Sequence, residues 1–202
     1  FAKSVFSSFE DTKNISKKKL NYTGPIVNTT LTRSDISLFE KQTIGFMGGS
    51  QGSKQINNYV DKFMETEYQL NFNIVHVTGK NNDKLEINSK NYRSVDFIEE
   101  MDEFYREIDI LVGRAGGGSL EAAYLGIPQI LIPYTHGTTS SHQVLNARYL
   151  EQKGFGFTVN SFEELINNIK NISENIKYKN FNMKNIPIGN FIISKELYEQ
   201  IN

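Results

Sequence analysis

The sequence contains no cysteine. That excludes a disulfide framework, a thiolate zinc site and nucleophilic cysteine chemistry, and it permits a reducing compartment without requiring one. An excess of either charge is missing too: 22 Lys and Arg stand against 23 Asp and Glu, which argues against a general nucleic-acid binder. No run approaches the roughly eighteen consecutive apolar residues that a membrane-spanning helix needs. The opening residues FAKSVFSSFE do not form a signal peptide. A cytoplasmic location is therefore expected. The first residue is Phe1 in place of Met, so a segment of a longer protein is expected as well. Internal repeats and long low-complexity tracts are absent.

What is there is ordinary for a globular chain. The 202 residues can bury a substantial core, most simply as one domain with at most a small appendage. From Gln42 onward, short β-branched or aromatic runs are each followed by a glycine-containing turn and an amphipathic stretch. Strands are expected at Thr43–Met47, Asn73–Thr78, Ser94–Phe97, Ile108–Val112, Gln129–Ile132 and Gly156–Val159. Helices are expected at Lys54–Glu67, Met101–Glu107, Ser119–Leu125, His142–Lys153 and Ser161–Ile172, the last opening on a Ser-Phe-Glu-Glu capping pattern. Such alternation predicts an α/β fold with a doubly wound, mostly parallel, Rossmann-like sheet. Ahead of it, Ser4–Ser7 suits a strand, Ser16–Leu20 a solvated loop, and Asn21–Val27 leads into a polar linker, Asn28–Lys41. The tail after Ile172 is weakly patterned, with a helix suited to Ser194–Ile201.

Three loops carry the candidate chemistry. Gly48-Gly49-Ser50-Gln51-Gly52-Ser53 joins an apolar strand to a helix, where bare backbone N–H groups and the helix field suit phosphate. It has neither the Lys of a P-loop nor a GxGxxG pattern, and a tight strand-to-helix turn accounts for it equally well. Arg114-Ala115-Gly116-Gly117-Gly118-Ser119-Leu120-Glu121 occupies the same place after another strand. Two such loops at the carboxyl ends of parallel strands mark the crevice where open α/β sheets bind ligands. Ser119 suits either a helix cap or a phosphate contact. Glu121 either complements the helix dipole or accepts hydrogen bonds from vicinal ribose hydroxyls. The third loop, Pro133 to Gln143, is rich in hydroxyl and amide groups suited to sugars. His136 and His142 have Glu151 as the nearest acid in sequence, so no metal site is expected. His76, inside a strand, reads as structural. No GxSxG elbow or Ser–His–Asp arrangement points to a hydrolase.

Taken in order, FMGGSQGSKQINN, then VDFIEEMDEFYREIDILVGRAGGGSLEAAYLGIPQILIP, then SSHQVLNARYLEQKG resemble the carboxyl-terminal domain of the MurG family of glycosyltransferases, one lobe of a GT-B fold, over about Gln42 to Val159. The resemblance implies that residues 42–202 bind a UDP-sugar and that residues 1–41 end an amino-terminal lobe and its linker. It implies that Gly49, Ser50, Gln51 and Gly52 border the diphosphate and sugar, and that Phe97, Ile98 and Met101 flank the uracil. Gly117, Gly118 and Ser119 would turn amides toward the phosphates, and Glu121 would hold the ribose. Gln143 and Asn146, with His142 beside them, would read donor-sugar hydroxyls. The implied activity is inverting transfer of GlcNAc or another hexose to a lipid-linked or polysaccharide acceptor, with the UDP-sugar as substrate, no cofactor and no metal. The general base would belong to the other lobe or a partner subunit, through which any peripheral membrane contact would run. A UDP-sugar hydrolase or epimerase and a non-catalytic soluble subunit are the alternative expectations.

Overall fold

The structure is a computed structural model that describes residues 2–10, 12–33, 40–80, 82, 85–134, 140–175 and 188–201. The chain divides into two compact units, residues 1–30 with 183–202 and residues 31–182. The first holds a small parallel pair, β1 (Val5–Ser7) and β2 (Leu20–Tyr22). Leu20 thus opens a strand that the lysine-rich run before it conceals, and Asn21 and Tyr22 continue that strand.

The second unit is built on a six-stranded sheet. Its strands are β3 (Thr43–Met47), β4 (Asn73–Val77), β5 (Tyr92–Val95), β6 (Ile110–Gly113), β7 (Gln129–Leu131) and β8 (Gly156–Thr158). They are parallel throughout, in the order β5-β4-β3-β6-β7-β8. The helices are α1 (Lys54–Met64), α2 (Met101–Glu107), α3 (Gly117–Tyr124), α4 (Ser140–Gln152) and α5 (Phe162–Glu174). This is the doubly wound architecture, with its topological switch between β3 and β6.

Side chains alternate along each strand, so the sheet carries a core on both faces. Ile44, Phe46, Ile74, Ile110 and Val112 meet Ile56, Val60 and Phe63 of α1 and Leu165, Ile169 and Ile172 of α5. The helix residues recur every three or four positions, giving each helix one apolar stripe. Val75, Val77 and Leu111 face the other way, toward Phe104 and Tyr105 of α2 and Ala122 of α3. Gly45 permits that approach: a Cβ there would lie 2.7 Å from both Phe104 and Ile108.

Several boundaries differ from expectation. β5 starts and ends two residues early, because Tyr92 pairs with Ile74 and its hydroxyl reaches His76 Nδ1 at 2.9 Å. β6 starts at Ile110, since Ile108 closes α2 and the Asp109 carboxylate accepts the Thr43 N–H. The first helix stops at Met64, where Thr66 donates its hydroxyl to Phe63 O at 2.7 Å, and a 3₁₀ turn follows over Glu67–Asn71. α4 begins at Ser140, two residues ahead of His142. At α5, Ser161 accepts the Glu164 N–H as expected of a cap, while the Glu164 carboxylate reaches the N–H of Asn160.

The last helix, α6 (Gly189–Ile201), lies in the first unit and begins five residues before the expected Ser194. Asn190 holds it by accepting the Val27 N–H at 3.0 Å and donating to Val27 O at 2.8 Å. Among the described residues, no helix is long and apolar enough to cross a membrane.

Candidate functional site

The two glycine loops leave β3 and β6, the neighbouring strands at the switch point. Met47 pairs with Gly113 at their ends, and Arg114 N reaches Met47 O at 3.4 Å. Gly49 and Gly52 have φ of 86° and 73°, the left-handed region that glycine enters without penalty. Gly52 is also crowded: a Cβ would lie 2.1 Å from Thr78 O. Ser53 caps α1 by accepting the Ile56 N–H at 3.3 Å. Ser50 and Gln51 are exposed on the rim.

The second loop is shorter than its glycine run suggests, because Gly117 and Gly118 already belong to α3. Gly116 is the cap residue and brings no side chain to the first turn. Ser119 is buried, and both its N–H and its hydroxyl bond Gly116 O, at 3.2 and 2.6 Å. Its hydroxyl therefore stabilises the turn. A Cβ on Gly116 or Gly117 would meet nothing within 4 Å, so this end of α3 is open, and of its first-turn amides those of Gly117 and Gly118 lack intrahelical partners.

Glu121 is half-buried, and the hydroxyl of Tyr105 lies 3.0 Å from its Oε2 and 3.0 Å from Gly118 O. Burial, reinforced by the Glu121 carboxylate, pushes the Tyr105 hydroxyl well above the ordinary phenol range, so it remains a donor. One oxygen of Glu121 is thus fixed in direction by a group inside the core. From the same side, Ile98 and Met101 pack on the cluster that contains Tyr105, and Phe97 is exposed beside them under the Lys80 ammonium, 4.1 Å from its ring centre.

α4 contributes its inward edge. Asn146 donates through Nδ2 to Ala115 O at 2.9 Å, and Gln143 accepts the Tyr134 N–H through Oε1 at 2.8 Å. Among the described residues the other ends of these amides are left over, a carbonyl oxygen on Asn146 and an amide NH2 on Gln143. His142 is exposed. His136, with residues 135–139, lies outside the described residues, as do residues 34–39 of the linker. Among the described residues no group of three His, Asp or Glu side chains is gathered.

Sequence reasoning missed Arg114. Its guanidinium donates to Ser53 Oγ at 2.7 Å, Ile132 O at 2.8 Å and Gln55 Oε1 at 3.0 Å, and lies 5.3 Å from the Tyr134 ring centre. All three acceptors are neutral, and no carboxylate pairs with it among the described residues. The half-buried cation ties the end of β6 to the cap of α1. Gln129 was also missed; it donates from β7 to Ser119 O at 2.9 Å and pins the first turn of α3. Neither residue carries a local motif.

His76 is fully buried. Asn57 donates through Nδ2 to Thr78 O at 3.2 Å, which turns its Oδ1 toward His76 Nε2 at 3.0 Å. Nε2 therefore carries the proton and Nδ1 accepts from Tyr92. Burial lowers the His76 pKa from 6.5 to about 4, as a neutral structural imidazole requires.

The Glycosyltransferase family 28 C-terminal domain matches residues 43–196. The chain belongs to this family. A Bacillus cereus relative named UDP-N-acetylglucosamine--N-acetylmuramyl-(pentapeptide) pyrophosphoryl-undecaprenol N-acetylglucosamine transferase 3 is 32% identical over 166 residues, covering 77% of this chain and 47% of the relative. The family 28 chain thus spans about half the length of the curated relatives it matches. Among solved structures, Acinetobacter baumannii MurG superimposes with a TM-score of 0.63 at 24% identity, over 87% of this chain and 53% of that one. The glycotransferase of kitacinnamycin gives 0.64 at 15% identity, over 85% and 45%. These likenesses show the shared fold, a parallel GT-B lobe.

Proposed function

We propose that residues 31–182 bind the donor of an inverting glycosyltransferase, holding UDP-GlcNAc or a related UDP-hexose for transfer to a lipid-linked acceptor. The observation that carries this reading is the switch-point crevice. There the open first turn of α3, the guanidinium of Arg114 and the braced carboxylate of Glu121 all follow within a few residues of the carboxyl end of β6. A diphosphate placed at the N-terminus of α3 meets backbone N–H groups and the helix field. Glu121 then receives the ribose hydroxyls, and the Phe97–Ile98 backbone with Met101 flanks the base. Gly49, Ser50, Gln51 and Gly52 wall the phosphate and sugar, and Gln143 and Asn146 bond sugar hydroxyls with an amide NH2 and a carbonyl oxygen respectively; His142 stands at the edge.

As UDP leaves, negative charge builds on the diphosphate. Preorganised amides and a fixed guanidinium stabilise that charge without reorganisation, and no metal is required of the site. Acceptor binding and a general base are assigned to an amino-terminal lobe or partner subunit, which would also carry any contact with the inner face of the membrane. The name of the B. cereus relative supports GlcNAc as the sugar and a lipid-linked acceptor.

Calorimetric titration with UDP-GlcNAc, UDP-glucose, UDP and GDP, with and without EDTA, tests the reading. The expected result is uridine-selective binding that EDTA leaves unchanged. No binding at millimolar ligand, or no preference for uridine over guanosine, would contradict it. Release of free sugar from UDP-GlcNAc by this chain alone would point to a hydrolase.

A further inference from the structure

The exit of β4 touches both walls of the crevice. Thr78 N and Gly79 N donate to Val95 O and Asp96 O, each at 3.0 Å, which fixes this segment to the turn that leads into Phe97. On its other side Gly79 lies against the first glycine loop: a Cβ on Gly79, whose φ is 92°, would fall 2.4 Å from both the Cα and the N of Gly52. Backbone therefore packs directly on backbone. Asn82 closes the contact with one amide, donating through Nδ2 to Gln51 O at 2.9 Å and to Thr78 O at 3.1 Å. Thr78 O also accepts from Asn57, so two side chains converge on one carbonyl.

We propose that the β4 exit, Thr78–Lys80 together with Asn82, is a spacer that sets the distance between the base-flanking loop and the first glycine loop. Asn82 is its positioning residue for ligands that carry a diphosphate. The assignment of ligand rests on the donor-site reading above; the latch itself rests only on the contacts just described. The physical argument is one of freedom. Ser50 and Gln51 are exposed, and Gln51 O is tied to the body of the sheet by Asn82. Without that donor the loop samples arrangements in which it no longer lines the phosphate site, and the apparent affinity falls with the fraction of competent loop. The base and ribose contacts at Phe97, Ile98 and Glu121 do not pass through Asn82, so they persist.

The test compares uridine with UDP and UDP-GlcNAc on wild-type, Asn82→Ala and Asn82→Asp chains by NMR titration. The alanine variant should bind UDP and UDP-GlcNAc about threefold to tenfold more weakly, the usual weight of one hydrogen bond, while the uridine Kd stays within about twofold. The aspartate variant, which points a carboxylate at two carbonyl oxygens, should lose more. Equal weakening of uridine and UDP, or no weakening of either, overturns the proposal. Amide hydrogen exchange at Gly52, whose N–H is held by Gly49 O at 2.9 Å, reads the latch without any ligand: faster exchange in Asn82→Ala supports it, and unchanged exchange overturns it. If the wild-type chain binds neither uridine nor UDP, the donor-site reading fails separately, and the exchange result still decides the latch.

Discussion

The two glycine loops leave neighbouring parallel strands and enter helices, yet they are built for opposite purposes. The first is crowded, carries a side-chain cap in Ser53, and is bound to the β4 exit through Gly52, Gly79 and Asn82. The second has no side-chain cap, and its Gly116 and Gly117 face open space. Each helix spends its third first-turn N–H, that of Ile56 on the Ser53 hydroxyl and that of Ser119 on Gly116 O; what separates the two ends is the open space at Gly116 and Gly117, through which an anion can reach the N–H groups of Gly117 and Gly118. Gly48 and Gly52 in the first loop therefore answer to packing, whereas Gly49 there, like Gly116 and Gly117 in the second, has nothing within 4 Å of a Cβ. A shared composition conceals this difference.

Alanine substitution separates the two most sharply. Gly52→Ala forces a Cβ to within 2.1 Å of Thr78 O at a φ of 73°, and should cost about 2–4 kcal/mol of stability from overlap and left-handed strain, read by urea denaturation. Gly117→Ala occupies empty space in a first helical turn and should leave stability unchanged or slightly raised, yet weaken UDP by about tenfold as its methyl enters the phosphate site. Equal stability losses in the two variants would erase the distinction.

The packed side of the molecule should also respond to acid. His76 is held neutral, with a folded pKa of about 4 against 6.5 unfolded. Between those values the unfolded chain binds a proton that the folded chain refuses, so stability is full above about pH 6.5 and falls as pH drops toward 4. At about 1.4 kcal/mol per pH unit the contribution reaches about 3 kcal/mol. His76→Gln should flatten the stability profile relative to wild type across that window; parallel profiles would refute the assignment.

On the open side the effects are on binding. Glu121→Ala should weaken UDP by about 1.5–3 kcal/mol, the range for hydrogen bonds to a charged group, and should abolish discrimination between UDP and its 2′-deoxy analogue. Tyr105→Phe removes only the donor that orients Glu121 and should cost less, about 0.5–1.5 kcal/mol of affinity. A Tyr105→Phe loss as large as that of Glu121→Ala would mean that the carboxylate has no direct role.

The parallel sheet was legible in the sequence because short β-branched or aromatic runs alternate with amphipathic stretches, with glycine at the exits of β3, β4 and β6, signals local to a few residues. So was the placement of both loops at carboxyl strand ends. What was not legible depends on contacts across the chain. Arg114 meets Ser53 61 residues away, Asn82 meets Gln51 across 31, and Tyr105 reaches Glu121 from a different helix. No periodicity records such pairs. β2 escaped notice because lysines precede it and it is only three residues long. Ser119, read as a cap or a phosphate contact, turned inward because Gly116 O lies within reach of its hydroxyl.

The central claim is that the open helix end takes the diphosphate and the crowded loop only lines it. Following backbone amides by NMR while UDP, and separately uridine, is titrated into the chain tests this most directly. The account predicts that the Gly117 and Gly118 amides shift strongly with UDP and barely with uridine, while the Ile56 amide, already bonded to Ser53, moves little with either. Amides of α3 that stay in place as UDP saturates the chain, or a dominant shift at the start of α1, would contradict it.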